Sequence, residues 1–406
     1  MDKQFDVIVV GGGMVGATVG CALGDTSLKV GVIEQSMPAA FKLDQPHDLR
    51  VSALSKASQA IFESLAVWPG IVERRACPYK RMRVWELNDG PEFRSQDINQ
   101  PELGFIVENR VIQLALLERL QGFANVELIC PDRIAKIDYG SGLTTIELES
   151  GRLFKARLLV AADGGNSRVR QTVGLGVNSW DYAQHALVIY IETDYEQQDI
   201  TWQRFVPSGP QAFLPLTGRF GSVVWYNSPD EVRRLKALPK PLLLAELLAN
   251  FPDCLGSVGQ ILGVASFPLK RQHALSYVKT GVALVGDAAH MINPLAGQGV
   301  NIGLLDAATL AEVLVAGYHN DQDIASLRVL QRYEDLRRGE NLKMMNVMEV
   351  FYRVFSNQIA PLRLLRNVGL GFADRFTPAR HKVMRHAMGL EGRLPKLAKG
   401  ESIVER

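Results

Sequence analysis

The chain has 406 residues, 47% of them apolar and 22% charged, which is ordinary globular composition and long enough for two domains with separate cores. A formal charge of only +2 gives no electrostatic footprint for nucleic acid, although residues 328–406 carry 16 Lys and Arg against 8 Asp and Glu. The four cysteines, Cys21, Cys77, Cys130 and Cys254, are scattered and include no Cys-x-x-Cys pair. That speaks against a metal site or a disulfide framework and fits a reducing compartment.

In chain order, FDVIVV, GGGMVG, ATVGCAL and LKVGVIEQ read as strand, turn, helix and strand, one βαβ unit. The first apolar run enters glycines as a strand does, so it is not read as a signal peptide. No run is expected to reach the roughly 20 apolar residues of a membrane span, which predicts a soluble or peripheral cytoplasmic protein. VIQLALLERLQ near residue 110 has helical spacing, and VELIC, TTIELES and RLLVAADG follow as β segments. From 186 to 280 the runs ALVIYIET, ITWQRFVPSG, QAFLPL and SVVWYN alternate between turn residues, as in an antiparallel sheet that carries a substrate layer.

TGVALVGD returns to a buried strand, VNIGLLDAATLAEVLVAG is helical, and the remainder after Arg328 reads as helix. There Met344, Val347, Met348, Phe351, Val354 and Phe355 form an apolar stripe. A helix closing the core is the favoured reading of that stripe, and a face for lipid is the other. The expected domains are a discontinuous dinucleotide-binding unit (1–185 with 281–330, including a β insertion from about 75 to 105), a β-rich substrate unit (186–280) and a helical C-terminal region (331–406).

Three separated motifs carry chemistry. Gly11, Gly13 and Gly16 match GxGxxG between a strand and a helix, so the turn, the pyrophosphate and the helix–strand packing each have their glycine. Glu34 ends the second strand, where a carboxylate accepts ribose hydroxyls and repels a 2′-phosphate. Asp163-Gly164 makes a sharp turn after a strand. In GDAAHMINPLAGQGVNIG (286–303), Asp287 stands at a strand's carboxyl end and Pro294, Gly297 and Gly299 form a loop that admits a flat ligand. Asn301 lies in the first turn of the following helix, whose N-terminus would stabilise a reduced flavin ring. One glycine loop for phosphates and another for a ring point to FAD rather than to a nicotinamide dinucleotide alone. No metal site is expected.

The order GxGxxG, DG and GDAAHxxxPxxGQGxN resembles the FAD-dependent aromatic hydroxylases related to para-hydroxybenzoate hydroxylase. RVSALSKAS, VEN and NPLAGQGVNIG narrow the resemblance to the ubiquinone-biosynthesis flavin hydroxylases. ITWQRFVPSGPQAFLPL and SVVWYNSP look most like the branch acting on 2-octaprenyl-3-methyl-6-methoxy-1,4-benzoquinol. The resemblance implies an α/β fold: a Rossmann-like FAD-binding domain with an inserted antiparallel β-sheet substrate domain and a helical C-terminal region.

It further implies that Arg50 and Arg110 reach the pyrophosphate and ribityl region, that Asp163 and Gly164 serve FAD and reductant, and that Asp287 bonds the ribityl chain. Pro294, Gly297, Gln298, Gly299 and Asn301 would border the isoalloxazine. Asn293 replaces a histidine common among relatives, so no imidazole base is placed there, and His290 is read as a structural hydrogen-bonding group. The implied reaction is hydroxylation of a polyprenylated quinol by a C4a-hydroperoxyflavin, with O₂ and transient NAD(P)H. A sister hydroxylase acting at another ring position, an FAD-dependent reductase or dehydrogenase, and a non-catalytic flavoprotein scaffold are the alternatives. A peripheral membrane contact, a biosynthetic complex and a homo-oligomer stay open as partners.

Overall fold

A computed structural model describes residues 3–86, 90–140, 142–292, 299–355 and 392–404, the side chains of 351–355 excepted. The unbroken apolar runs form the centre of a first sheet, because parallel strands bury both faces. Its order is β17 (Val278–Lys279), β18 (Val282–Leu284), β11 (Leu153–Ala161), β1 (Lys3–Val10), β2 (Val30–Ile33) and β8 (Val126–Ile129). From β18 to β8 all neighbours are parallel, while β9 (Ile134–Asp138) and β10 (Thr144–Leu148) extend the sheet antiparallel from the first half of β11. Helices α1 (Met14–Ala22), α4 (Asn109–Leu120) and α8 (Gly299–His319) pack together on this sheet. Strands from both ends of the sequence flank β11, so the nucleotide unit is assembled from discontinuous pieces.

A small antiparallel sheet of β3 (Val51–Ser55), β7 (Gly104–Glu108) and β4 (Cys77–Tyr79), with α2 (Lys56–Ser64) and α3 (Trp68–Arg74), stands beside it. α5 (Arg168–Thr172) follows the Asp163-Gly164 turn. The large second sheet runs β19 (His290–Met291), β16 (Val258–Ala274), β12 (Val177–Thr193), β15 (Phe220–Asn227), β14 (Gly209–Pro215), β13 (Ile200–Val206), β5 (Arg81–Trp85) and β6 (Glu92–Arg94). Strand alternation gives it two different faces. Leu187, Ile189, Trp202, Phe213, Val223 and Trp225 pack under α6 (Pro229–Ala237) and α7 (Lys240–Asn250). The Ser228 hydroxyl caps α6 by accepting from the Glu231 amide.

Several expectations are revised. β5 and β6 come from the stretch grouped with the nucleotide unit, yet β5 pairs in parallel with β13 of the second sheet, Thr201 opposite Met82. Which sheet a short strand joins is a tertiary matter that its own sequence does not encode. The C-terminal region is helical as expected, in α9 (Leu327–Phe355). Residues 392–404 return to the nucleotide core, burying Leu397, Ala398 and Ile403 and placing the Leu397 carbonyl 3.0 Å from the Ser64 hydroxyl that donates to it.

α8 is long and apolar enough to span a membrane by length and composition, contrary to the expectation that no run would be. Its apolar window is 72% buried inside the protein, and the fully buried Asp306 sits on it, so here it is a core helix. On α9 (Leu327–Phe355), Met345 packs with Ile292 and Ile302, and Met348 packs against Tyr226 and Leu269. Val347 and Val350 face outward, 47% and 58% exposed. The side chains of Phe351, Val354 and Phe355 lie outside the described residues.

Candidate flavin and substrate site

Four neighbouring parallel strands end at the motif residues: Asp287 after β18, Asp163 after β11, Gly11 after β1 and Glu34 after β2. The carboxyl edge of such a sheet is where α/β folds bind ligands. Gly11 has φ +101°, and a Cβ there would lie 2.5 Å from the Ala162 carbonyl oxygen. A Cβ on Gly16 would lie 1.9 Å from the Gly11 carbonyl oxygen, so these two glycines let α1 lie against β1. Gly13 differs. It caps α1, and a Cβ there would meet nothing within 4 Å. The open space in front of a helix N-terminus is the cradle a pyrophosphate requires. The Glu34 carboxylate accepts from the Gly12 amide at 2.7 Å and the Ser36 amide at 3.1 Å, holding the turn while each oxygen keeps a lone pair.

From that turn a cleft of about 590 Å³ runs to the second sheet. Gly13, Arg50, Asn109, Gly164, Asp287 and Gly299 line its nucleotide side. Asp163 accepts the Val169 amide with one oxygen at 3.2 Å, while its other oxygen is buried without a hydrogen-bond partner among the described residues. Asp287 faces the cleft, where burial raises its carboxyl above the ordinary range against the opposing charges of His290 and Arg50. The open Gly13 cradle and the unpartnered Asp163 oxygen fit an elongated dinucleotide. Gly13 and Glu34 would hold its adenosine half, and Asp163 and Asp287 its ribityl side.

Beneath this edge lies a buried polar network. Asp306 accepts from His290, from Arg337 Nε at 2.9 Å, from Asn341 at 2.9 Å and from the Gly286 amide at 3.3 Å. Burial pushes its carboxyl up, but the His290 and Arg337 charges and these bonds win and hold it at about 2. His290 is therefore a structural hydrogen-bonding group, as expected, and it anchors the GDAAH turn to α8 and α9.

Two predicted residues are not brought to the cleft. Arg110 spends its guanidinium on both Asp48 oxygens, at 2.7 and 2.9 Å, and on the Ala39 and Ala40 carbonyls. It clamps the loop that carries Ala39, Ala40 and Asp48. Asn301 is 4% exposed, donates to the Ala53 carbonyl and accepts from the Ser55 amide and Ser58 hydroxyl, so it seats α8 on the β3–α2 turn. Pro294, Gly297 and Gln298, like Asn293, lie outside the described residues.

Sequence reasoning missed Arg170, which is buried and donates to the Gly165 and Ala288 carbonyls at 2.8 and 2.7 Å, tying the DG turn to the GDAAH turn. It also missed the sheet wall of the cleft, where Pro210, Ala212 and Leu214 on β14 and Ser222, Val224 and Tyr226 on β15 alternate toward the opening. The alternation was visible in the sequence, but which face met the cleft was not.

Parallel nucleotide sheet, inserted antiparallel sheet and shared cleft define an FAD-binding oxidoreductase of the para-hydroxybenzoate hydroxylase type. Residues 143–346 match the FAD binding domain family. The p-nitrophenol 4-monooxygenase PnpA of Pseudomonas putida DLL-E4 superposes with a TM-score of 0.80 at 22% identity, over 97% of this chain and 100% of that one, which speaks for the fold. The chain is 41% identical to the 3-demethoxyubiquinol 3-hydroxylase of Escherichia coli (strain K12), over 96% of this chain and 100% of that protein. It is 32% identical to the mitochondrial ubiquinone biosynthesis monooxygenase COQ6 of Homo sapiens, over 95% and 93%. The chain belongs to the FAD-dependent ubiquinone-biosynthesis hydroxylases, as its motif order indicated, and it is a flavin-dependent monooxygenase.

Proposed function

We propose that this enzyme hydroxylates the ring of a polyprenylated benzoquinol, with the ring pattern of 2-octaprenyl-3-methyl-6-methoxy-1,4-benzoquinol, using O₂ and electrons from NAD(P)H. The observation that carries this reading is a cleft bounded by the dinucleotide edge on one side and, on the other, by a sheet face whose one charged lining residue, among the described residues, is Lys270. The name of the Escherichia coli relative, a demethoxyubiquinol hydroxylase, supports the substrate class.

Bound FAD supplies the redox chemistry and the activation of oxygen. The chain supplies position and dryness. Gly13 and the α1 N-terminus hold phosphate charge, and Asp163 and Asp287 fix the ribityl side, so the ring end is directed toward the sheet. Val188, Ala212, Leu214 and Val224 exclude water from the reaction space, which suppresses loss of oxidising equivalents as peroxide. The hydroxyls of a quinol already activate its ring carbons, and among the described residues no histidine lines the cleft to act as a base. The test is turnover with a short-tailed demethoxy-quinol. Oxygen uptake coupled to a product one oxygen heavier is expected, and mass spectrometry of that product identifies the ring position. Reductant oxidation without oxygen incorporation would instead mark a reductase.

A prenyl tail favours lipid by about 0.8 kcal/mol per buried CH₂, so substrate must arrive from a bilayer or a partner. We assign this docking, at the cytoplasmic face, to the outward Val347 and Val350 of α9 and the basic residues near them, such as Lys343. Removing α9 would strip Arg337 and Asn341 from Asp306, so V347D/V350D is the informative variant. It should lose flotation with anionic vesicles, and flotation equal to the parent's would rule out this surface.

A further inference from the structure

We infer that the Ser222 hydroxyl and the Gln203 carboxamide form an uncharged recognition subsite for the ring oxygens of the substrate. The inference rests on the quinol reading above and adds to it the side chains that select a neutral ring. Both residues line the cleft from the sheet side. Ser222 is 2% exposed, and its hydroxyl has no hydrogen-bond partner among the described residues. A buried, unpartnered hydroxyl costs stability until something completes it.

The sheet register places its neighbours. Ser222 lies between Leu214 on β14 and Tyr190 on β12. The Tyr190 hydroxyl is already paired with His47 at 3.0 Å. One row along, Gln203 stands opposite Ala212, which itself stands opposite Val224. The small Ala212 leaves room above the sheet between the two polar residues.

A serine hydroxyl and a carboxamide each donate and accept, so together they satisfy hydroxyl, carbonyl or methoxy oxygens alike. They offer no charge to a carboxylate. Of the cations lining the cleft, Arg50 stands exposed outside this sheet. Lys270, exposed on β16, lies five residues along from Ala265, which pairs with Val188 in the row of Val224 and Gln203. A benzoate would bury its charge here unpaired, which is strongly disfavoured. The subsite therefore fits rings that carry no carboxylate.

The test uses purified FAD-loaded protein titrated with a tail-less methoxy-methyl-benzoquinone and with 4-hydroxybenzoate, read by perturbation of the flavin spectrum. The quinone should bind at least about tenfold more tightly than the benzoate, and S222A and Q203L should each weaken it about five- to tenfold. S222T, which keeps the hydroxyl, should retain binding. Because S222A deletes an unsatisfied group, its Tm should equal or exceed the parent's, whereas a structural serine would lower it. Parental affinity in both S222A and Q203L, or equal binding of the benzoate, overturns the subsite. If S222A fails to fold, Q203L and S222T decide the matter. If the yellow parent protein binds no quinone at all, the substrate reading itself has failed, and the subsite falls with it.

Discussion

The two walls of the cleft are built by different means. The nucleotide wall is made by backbone: Gly13 offers amides at a helix end, and the glycines around it exist because a Cβ would collide with Ala162 or with Gly11 itself. The sheet wall is made by side chains, and its character changes from one residue to the next. Val223 faces the core under α6 and α7, while Val224 faces the cleft. A backbone site tolerates almost no change and is recognisable in any chain that carries it. A side-chain wall tolerates substitution and can be retuned for another ring.

The sharpest test of this contrast lies in the first turn. Gly16→Ala should abolish soluble, FAD-bound protein, since its methyl cannot fit. Gly13→Ala should fold with a near-parental Tm while weakening FAD about tenfold, read from the flavin-to-protein ratio, because its methyl points only at the phosphate space. Equal FAD content in Gly13→Ala and the parent would break the assignment of that space.

Next is the network that supports the nucleotide edge. Asp306→Asn leaves Arg337 buried without its counter-charge and should cost about 3–5 kcal/mol in urea unfolding. The paired valines follow. Val223→Ala should lose about 2 kcal/mol of stability with little change in quinol KM, whereas half-buried Val224→Ala should lose about 1 kcal/mol and raise KM. The reverse pattern would mean that the two faces had been assigned the wrong way round.

The smallest effect is in pH. His47 is held at about 4, first by burial and then by the nearby Arg75 charge, against an ordinary value of 6.5. The unfolded chain therefore binds its proton first, and the stability that is complete above 6.5 falls as pH drops toward 4. His273, also held at about 4 chiefly by burial, acts in the same window. Asp306 contributes only lower down, its stabilisation being complete above an unfolded value near 3.8 and lost as pH falls through about 2. His47→Gln should flatten the loss between pH 6.5 and 4, measured by urea midpoints across that range.

Legibility followed the same division. The GxGxxG turn, Glu34, Asp163 and Asp287 were placed from sequence because each depends on a local event, a strand ending in a turn, and all four come together at one sheet edge. Arg110 and Asn301 were drawn to the cofactor by their positions beside motifs. The structure gives their donors to Asp48 and to the β3–α2 turn, contacts made by residues about 60 and 250 positions away. Arg170 was missed for the complementary reason, since nothing in its own neighbourhood marks it as the tie between two distant turns.

By itself, then, the sequence determined the class of cofactor and the existence of two kinds of sheet, because glycine sterics and hydrophobic period act over a few residues. Only the tertiary structure decided which strands share a sheet, which face of the antiparallel sheet meets the flavin edge, and which polar groups are left unpartnered there. Those outcomes depend on hydrogen-bond register and burial summed over the whole chain, and no short window of residues contains that sum.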